Sequence, residues 1–154
     1  MVGLFYSLEA RAQTPALSVR ISDALKIKEP NWKYIGAIQT GHIPLVPSEE
    51  PIILGTWKDP KSPSQYVSVE VYSVKNPEEA AKWLEPVRDK HVYAGWQVSA
   101  LQIGDEGYLS EYKNGAQFEI EFRKWAVVAK IAGPDLDRVK QFAQCVAEQI
   151  NAND

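Results

Sequence analysis

Between residues 66 and 150 the apolar positions follow two clean rhythms. In Tyr66–Tyr72 (YVSVEVY) Val67, Val69 and Val71 alternate with Ser68 and Glu70, the period of a strand with two different faces. Asn76 then stands before Pro77, with Glu78 and Glu79 next. This is a capping residue, a proline at the first helical position and acids at the positive end of the helix dipole. Ala80, Trp83, Leu84 and Val87 recur at helical spacing, and Pro86 predicts either an end to the regular helix near Glu85 or a distorted last turn.

Trp96–Ile103 and Tyr108–Tyr112 read as strands joined by the GDEG turn. Asn114-Gly115 marks a hairpin. Beyond it Phe118, Ile120 and Phe122 face inward and Glu119, Glu121 and Arg123 face outward. A turn near Lys124 leads to Trp125, Val127, Ala129 and Ile131 on a core face. After Gly133-Pro134-Asp135 a last helix buries Leu136, Val139, Ala143, Val146 and Ile150, with Phe142, Ala147 and Cys145 beside that stripe.

The first half is weaker in pattern. Leu17, Val19 and Ile21 alternate and suit a short edge strand, and Tyr34–Ile38 suits another. Pro44, Pro47 and Pro51 predict extended loop, Ile52–Trp57 a strand, and KDPKSP (Lys58–Pro63) a turn. The resulting fold class is α+β: an antiparallel β-sheet meander covered by two amphipathic helices, a two- or three-layer sandwich. Residues 14–154 form its single domain.

Residues 1–13 stand apart. A short apolar run precedes Ala10-Arg11-Ala12, the small-x-small pattern of a signal-peptide cleavage site, although the positive leader segment is missing. The reading is a signal-peptide remnant, with a disordered tail as the alternative. It puts the protein in the periplasm or outside the cell, with the cytoplasm as the alternative.

Composition mainly removes possibilities. The chain has 154 residues, 45% of them hydrophobic and 24% charged, and a net charge of −3. No basic stripe marks a nucleic-acid binder, and no apolar run is long enough to be a transmembrane segment. The one cysteine, Cys145, excludes an intrachain disulfide and a cysteine-based zinc cluster. His42 and His91 lie far apart and outside any ligand motif, so no metal site is expected. No nucleophile elbow, phosphate loop or dinucleotide fingerprint occurs, so no cofactor and no catalytic residue is assigned.

The acids of IGDEGYLSEY, with Glu119 and Glu121, read as a solvated sheet face whose exposed ion pairs are worth about 0–1 kcal/mol each. Their functional alternative is a pair of hydrolase carboxylates facing each other across a cleft. Trp83 and Trp125 fall on core faces. Trp32, Trp57 and Trp96 lie in or near loops and, with His42, are the candidate ligand-binding residues.

The segments YVSVEVYSVKNPEEAAKWL, IGDEGYLSEYKNG and FEIEFRKWAVVAKIAG, followed by the closing helix, resemble bacterial extracytoplasmic families of unknown function. These are small α+β sandwiches broadly similar to the PsbP-like type. The resemblance spans Tyr66 to Ile150 and concerns architecture. It implies export and an accessory or binding role, and carries no site residues. The expectation is an exported, non-catalytic domain that binds a protein partner or small ligand. The alternatives are a carboxylate-dependent hydrolase using acids of the 105–121 region and a cytosolic interaction domain.

Overall fold

The alternation at Val67, Val69 and Val71 becomes a strand whose three valines are fully buried. The computed structural model describes residues 14–36, 44–90 and 95–154. Within them the elements are α1 (Leu17–Lys28), β1 (Lys33–Tyr34), β2 (Ile53–Lys58), β3 (Tyr66–Ser73), α2 (Pro77–Arg88), β4 (Trp96–Ala100), β5 (Glu106–Tyr112), β6 (Gln117–Lys124), β7 (Val127–Gly133) and α3 (Leu136–Gln149). The strands form one antiparallel sheet in the order β1-β2-β3-β7-β6-β5-β4. The chain thus leaves the middle of the sheet at β3, crosses one face as α2, and returns at the far edge as β4.

The fold is α+β, with helices on both faces of the sheet. On one face α1 and α3 cover Val67, Val69, Val71, Ile120, Phe122, Val127, Ala129 and Ile131, which form the main core with Ile21, Leu25, Val139, Phe142 and Val146. On the other face α2 lies over a smaller apolar cluster of Val46, Tyr72, Ala80 and Val128. Two helices were expected and three are present among the described residues.

The extra helix is α1, where the sequence suggested an edge strand. Leu17 and Ile21 serve both patterns, and the fourth-residue spacing continues to Leu25, so all three are buried while Val19 points outward. Arg20 anchors this helix to the chain end, donating to the Asp154 carboxylate at 2.6 Å and to the Gln149 carbonyl at 2.9 Å. The strand expected over Tyr34–Ile38 is confined to Lys33–Tyr34, and Ala37 and Ile38 lie outside the described residues. Residues 1–13, His42 and His91 also lie outside them.

α2 begins as expected. The Asn76 side chain accepts from the Glu79 N–H at 2.8 Å, and the Glu79 carboxylate accepts from the Lys75 N–H at 3.1 Å, a reciprocal cap. Of the two endings expected, the helix does not stop near Glu85 but runs on to Arg88, with Pro86 exposed and Val87 buried in its last turn. The hairpin at Asn114-Gly115 is present, with left-handed backbone at Lys113, Asn114 and Gly115. Trp125 is a correction. It sits at the apex of the β6–β7 turn with φ of 55° and is 45% exposed, because the turn falls on Trp125 itself and the core alternation starts at Val127.

Candidate functional site

The four sequence candidates separate. Trp32 and Trp57 come together, Trp96 lies at the opposite edge of the sheet, and His42 is outside the described residues.

Trp57 is on β2 facing the main core, where it is 5% exposed. Trp32 is returned to the same place by a turn after α1, in which its N–H donates to the Glu29 carbonyl at 3.1 Å. Its ring lies 5.6 Å from that of Phe142, which is 6.3 Å from that of Trp57, so Phe142 props both indoles from beneath. Arg138 from α3 reaches over Trp32 at 5.5 Å and pairs with Glu29.

Tyr34 completes the aromatic group. It pairs with Trp57 in the β1–β2 register, with ring centroids 4.7 Å apart, and is 55% exposed. Its ring occupies the space that a side chain at position 55 would take: a Cβ on Gly55 would lie 2.1 Å from Cε2. Gly55 therefore provides a flat bed for the tyrosine.

These rings, with Ser22, Asp23, Lys26 and Pro30, line a cleft of about 300 Å³ between α1 and the β1–β2 edge. Ser22, Asp23 and Lys26 are exposed and lie on neighbouring positions of α1. Among the described residues none of the three makes a side-chain hydrogen bond or ion pair. Sequence reasoning named the two tryptophans but missed Tyr34, Asp23 and Lys26. The signal that could have found them is the Leu17–Ile21–Leu25 spacing, which puts Asp23 and Lys26 on the outer side of a helix.

The acidic stretch is built differently from the solvated face that was expected. Asp105 accepts the Trp125 N–H at 2.7 Å and so fixes the left-handed turn of β6–β7. Glu106 accepts from the Tyr108 hydroxyl at 2.9 Å and from Arg123 Nε at 3.0 Å. Glu106 and Gly107 belong to β5, and the turn lies before them. Gly104 is required there, because its φ is +59° and a Cβ would meet the Arg123 carbonyl at 2.3 Å.

Glu119 and Glu121 face α2. Lys90, just past the end of α2, pairs with Glu119 and lies 3.6 Å from Glu121, while Lys130 lies 3.9 Å from Glu119. Lys90 also sits 4.0 Å above the Trp96 ring, which packs on Tyr112 at 4.8 Å. Trp96 is thus tied to this cluster. Glu121 is buried, and burial pushes its carboxyl above the ordinary range; Lys90 opposes the shift and Glu119 adds to it. Among the described residues Glu121 Oε2 and Ser110 Oγ, on adjacent strands of this face, have no hydrogen-bond partner.

Glu70, expected to face outward, is also buried. It accepts from the Tyr72 hydroxyl at 2.6 Å and from the Leu45 N–H at 2.5 Å, which holds the proline-rich loop against the sheet. Burial and then the Glu70 bond hold the Tyr72 phenol far above its usual range. Cys145 is buried on α3, and burial followed by the nearby Glu148 pushes its thiol up, away from the reactive thiolate. Among the described residues no group of three or more His, Cys, Asp or Glu side chains could hold a metal ion. No helix among them is long and apolar enough to cross a membrane.

Compared with known proteins, the chain matches no family model and no curated protein. The assignment of a function therefore rests on the chemistry of the cleft and the cluster.

Proposed function

We propose that the chain is a non-catalytic binding domain whose ligand enters the cleft between α1 and the β1–β2 edge. The observation that carries this reading is the convergence of Trp32, Tyr34 and Trp57 with three polar side chains that have no partner among the described residues. Ligand sites are concave, with an aromatic floor and a few polar groups that fix orientation. The Met1–Gln13 segment, with its apolar run and Ala10-Arg11-Ala12, supports an exported protein. Mass analysis of the native protein tests that part: loss of residues through Ala12 supports export, and an intact Met1 contradicts it.

A hydrolase working from Glu121 has one observation in its favour, the raised carboxyl pKa. Against it, the side chain is 4% exposed and ion-paired with Lys90. A panel of small metabolites, glycans and peptides, screened by thermal shift, tests the binding reading. Hits are expected to disappear in both Tyr34→Ala and Asp23→Ala. Hits that persist in both variants contradict it.

A further inference from the structure

The ligand class can be narrowed from the charge and shape of the same cleft, an inference that rests on the binding reading above. Its aromatic platform is fixed. Tyr34 lies against the Gly55 backbone on one side and meets Trp57 at 4.7 Å, yet it remains 55% exposed. A ring held in this way offers surface to a ligand without losing side-chain freedom when it binds.

The polar rim is balanced. Asp23 supplies acceptors, Lys26 supplies donors, and the Ser22 hydroxyl supplies both. One negative and one positive side chain stand on the same helix with no partner among the described residues. An anionic ligand gains from Lys26 and is opposed by Asp23, and a cationic ligand meets the reverse. A neutral ligand bearing several hydroxyl groups satisfies both. The floor calls for an apolar, C–H-rich face against the electron-rich aromatic surface. A saturated ring with hydroxyls around its edge and C–H groups on its face combines these properties, and about 300 Å³ holds one or two such rings.

We infer that the Trp32–Tyr34–Trp57 cleft binds a neutral carbohydrate, with a sugar ring stacked on Tyr34 and its hydroxyls bonded to Asp23 and Lys26. A shallow site of this kind gives weak binding, with a Kd of about 0.1–10 mM per unit engaged.

The test is a titration of the full chain with glucose, galactose, mannose, N-acetylglucosamine, maltose and cellobiose, followed by saturation-transfer NMR. Glucuronate, glucosamine and a proline-rich peptide serve as comparison ligands. At least one neutral sugar is expected to bind more tightly than both charged ones. Tyr34→Ala and Asp23→Ala should each weaken it at least about tenfold, the loss expected when a ring contact or a charged hydrogen bond is removed. Gly55→Ala displaces the tyrosine ring without touching the ligand, and should weaken binding about fivefold or more if a fixed platform matters. Trp125→Ala, at a remote turn, should leave binding unchanged.

If no neutral sugar binds up to about 50 mM, where a millimolar Kd is nearly saturated, the carbohydrate inference is overturned. If the peptide or a charged compound then binds in a Tyr34-dependent way, the cleft survives as a binding site with a different ligand. If nothing binds there, the cleft reading falls too.

Discussion

The Trp32–Tyr34–Trp57 cleft lies at the β1–β2 edge of the sheet, the Lys90–Glu119–Glu121 cluster lies on β6 under the end of α2, and the two are built in opposite ways. In the cluster, charged groups are turned inward and meet each other: Lys90 serves both acids and Lys130 approaches Glu119. In the cleft, apolar rings form the floor, while Asp23 and Lys26 stand at the rim without an ion pair among the described residues. The cluster is richer in groups that could do chemistry, yet its charges are paired with each other, and Glu121 Oε2 and Ser110 Oγ, without a hydrogen-bond partner among the described residues, are closed off from solvent. The cleft has less reactive side chains that are open to a ligand. Capacity left over after folding separates a site from a structural network.

The largest expected effect removes the floor that the cleft shares with the core. Phe142 is fully buried beneath both indoles. Phe142→Ala should lower unfolding free energy by about 3–5 kcal/mol in a denaturant melt, the range for a large-to-small core change. A loss below about 1 kcal/mol would mean that the rings are not packed as described.

Next comes the cluster. Lys90→Ala leaves Glu121 buried beside Glu119 with only the more weakly acting Lys130 as a cation. About 2 kcal/mol of destabilisation is expected, below the loss for a fully buried pair because the Lys90 side chain keeps 22% of its exposure. If stability is unchanged, the cluster is a surface feature and the contrast collapses.

Glu121→Gln sharpens the same point through pH. The folded carboxyl has a raised pKa, so below its ordinary value of 4.5 it carries its proton in both the folded and unfolded states. As pH climbs through the raised folded value the unfolded state holds fewer protons, and stability contributed by the buried neutral acid is lost. The glutamine variant escapes this loss. Relative to the parent chain it should gain stability as pH rises above 4.5, until the buried carboxyl has itself titrated, in a series of thermal melts. A difference independent of pH contradicts the buried acid.

The smallest stability change belongs to the cleft rim. Tyr34→Ala should cost at most about 1 kcal/mol, because half the ring is already in water and the Trp57 contact is a single aromatic pair. The same variant should lose ligand binding. A large stability loss would recast Tyr34 as a core residue.

Most of the sheet was legible because periodicity reports which residues share a face. It does not report what covers that face. Glu70, Glu119 and Glu121 alternate correctly with buried neighbours, yet α2 and the Leu45–Val46 segment close over them. Nothing in a period of two distinguishes a solvated face from one under a helix. The error at α1 has a related cause: Leu17, Val19 and Ile21 are compatible with a strand until Leu25 is included. Reading α1 as a strand hid Asp23 and Lys26 from the site. Trp57 and Trp32 were identified as candidates by type and loop proximity, but their meeting depends on the β1–β2 register and on Phe142, contacts remote in sequence.

The claim that function resides in the open cleft, and that the closed cluster is structural, is tested most directly by the indole N–H signals of all five tryptophans during titration with a ligand that binds. Trp32 and Trp57 should shift together, while Trp83, Trp96 and Trp125 stay in place. Shifts confined to Trp96 would move the site to the Lys90–Glu121 cluster and contradict the account.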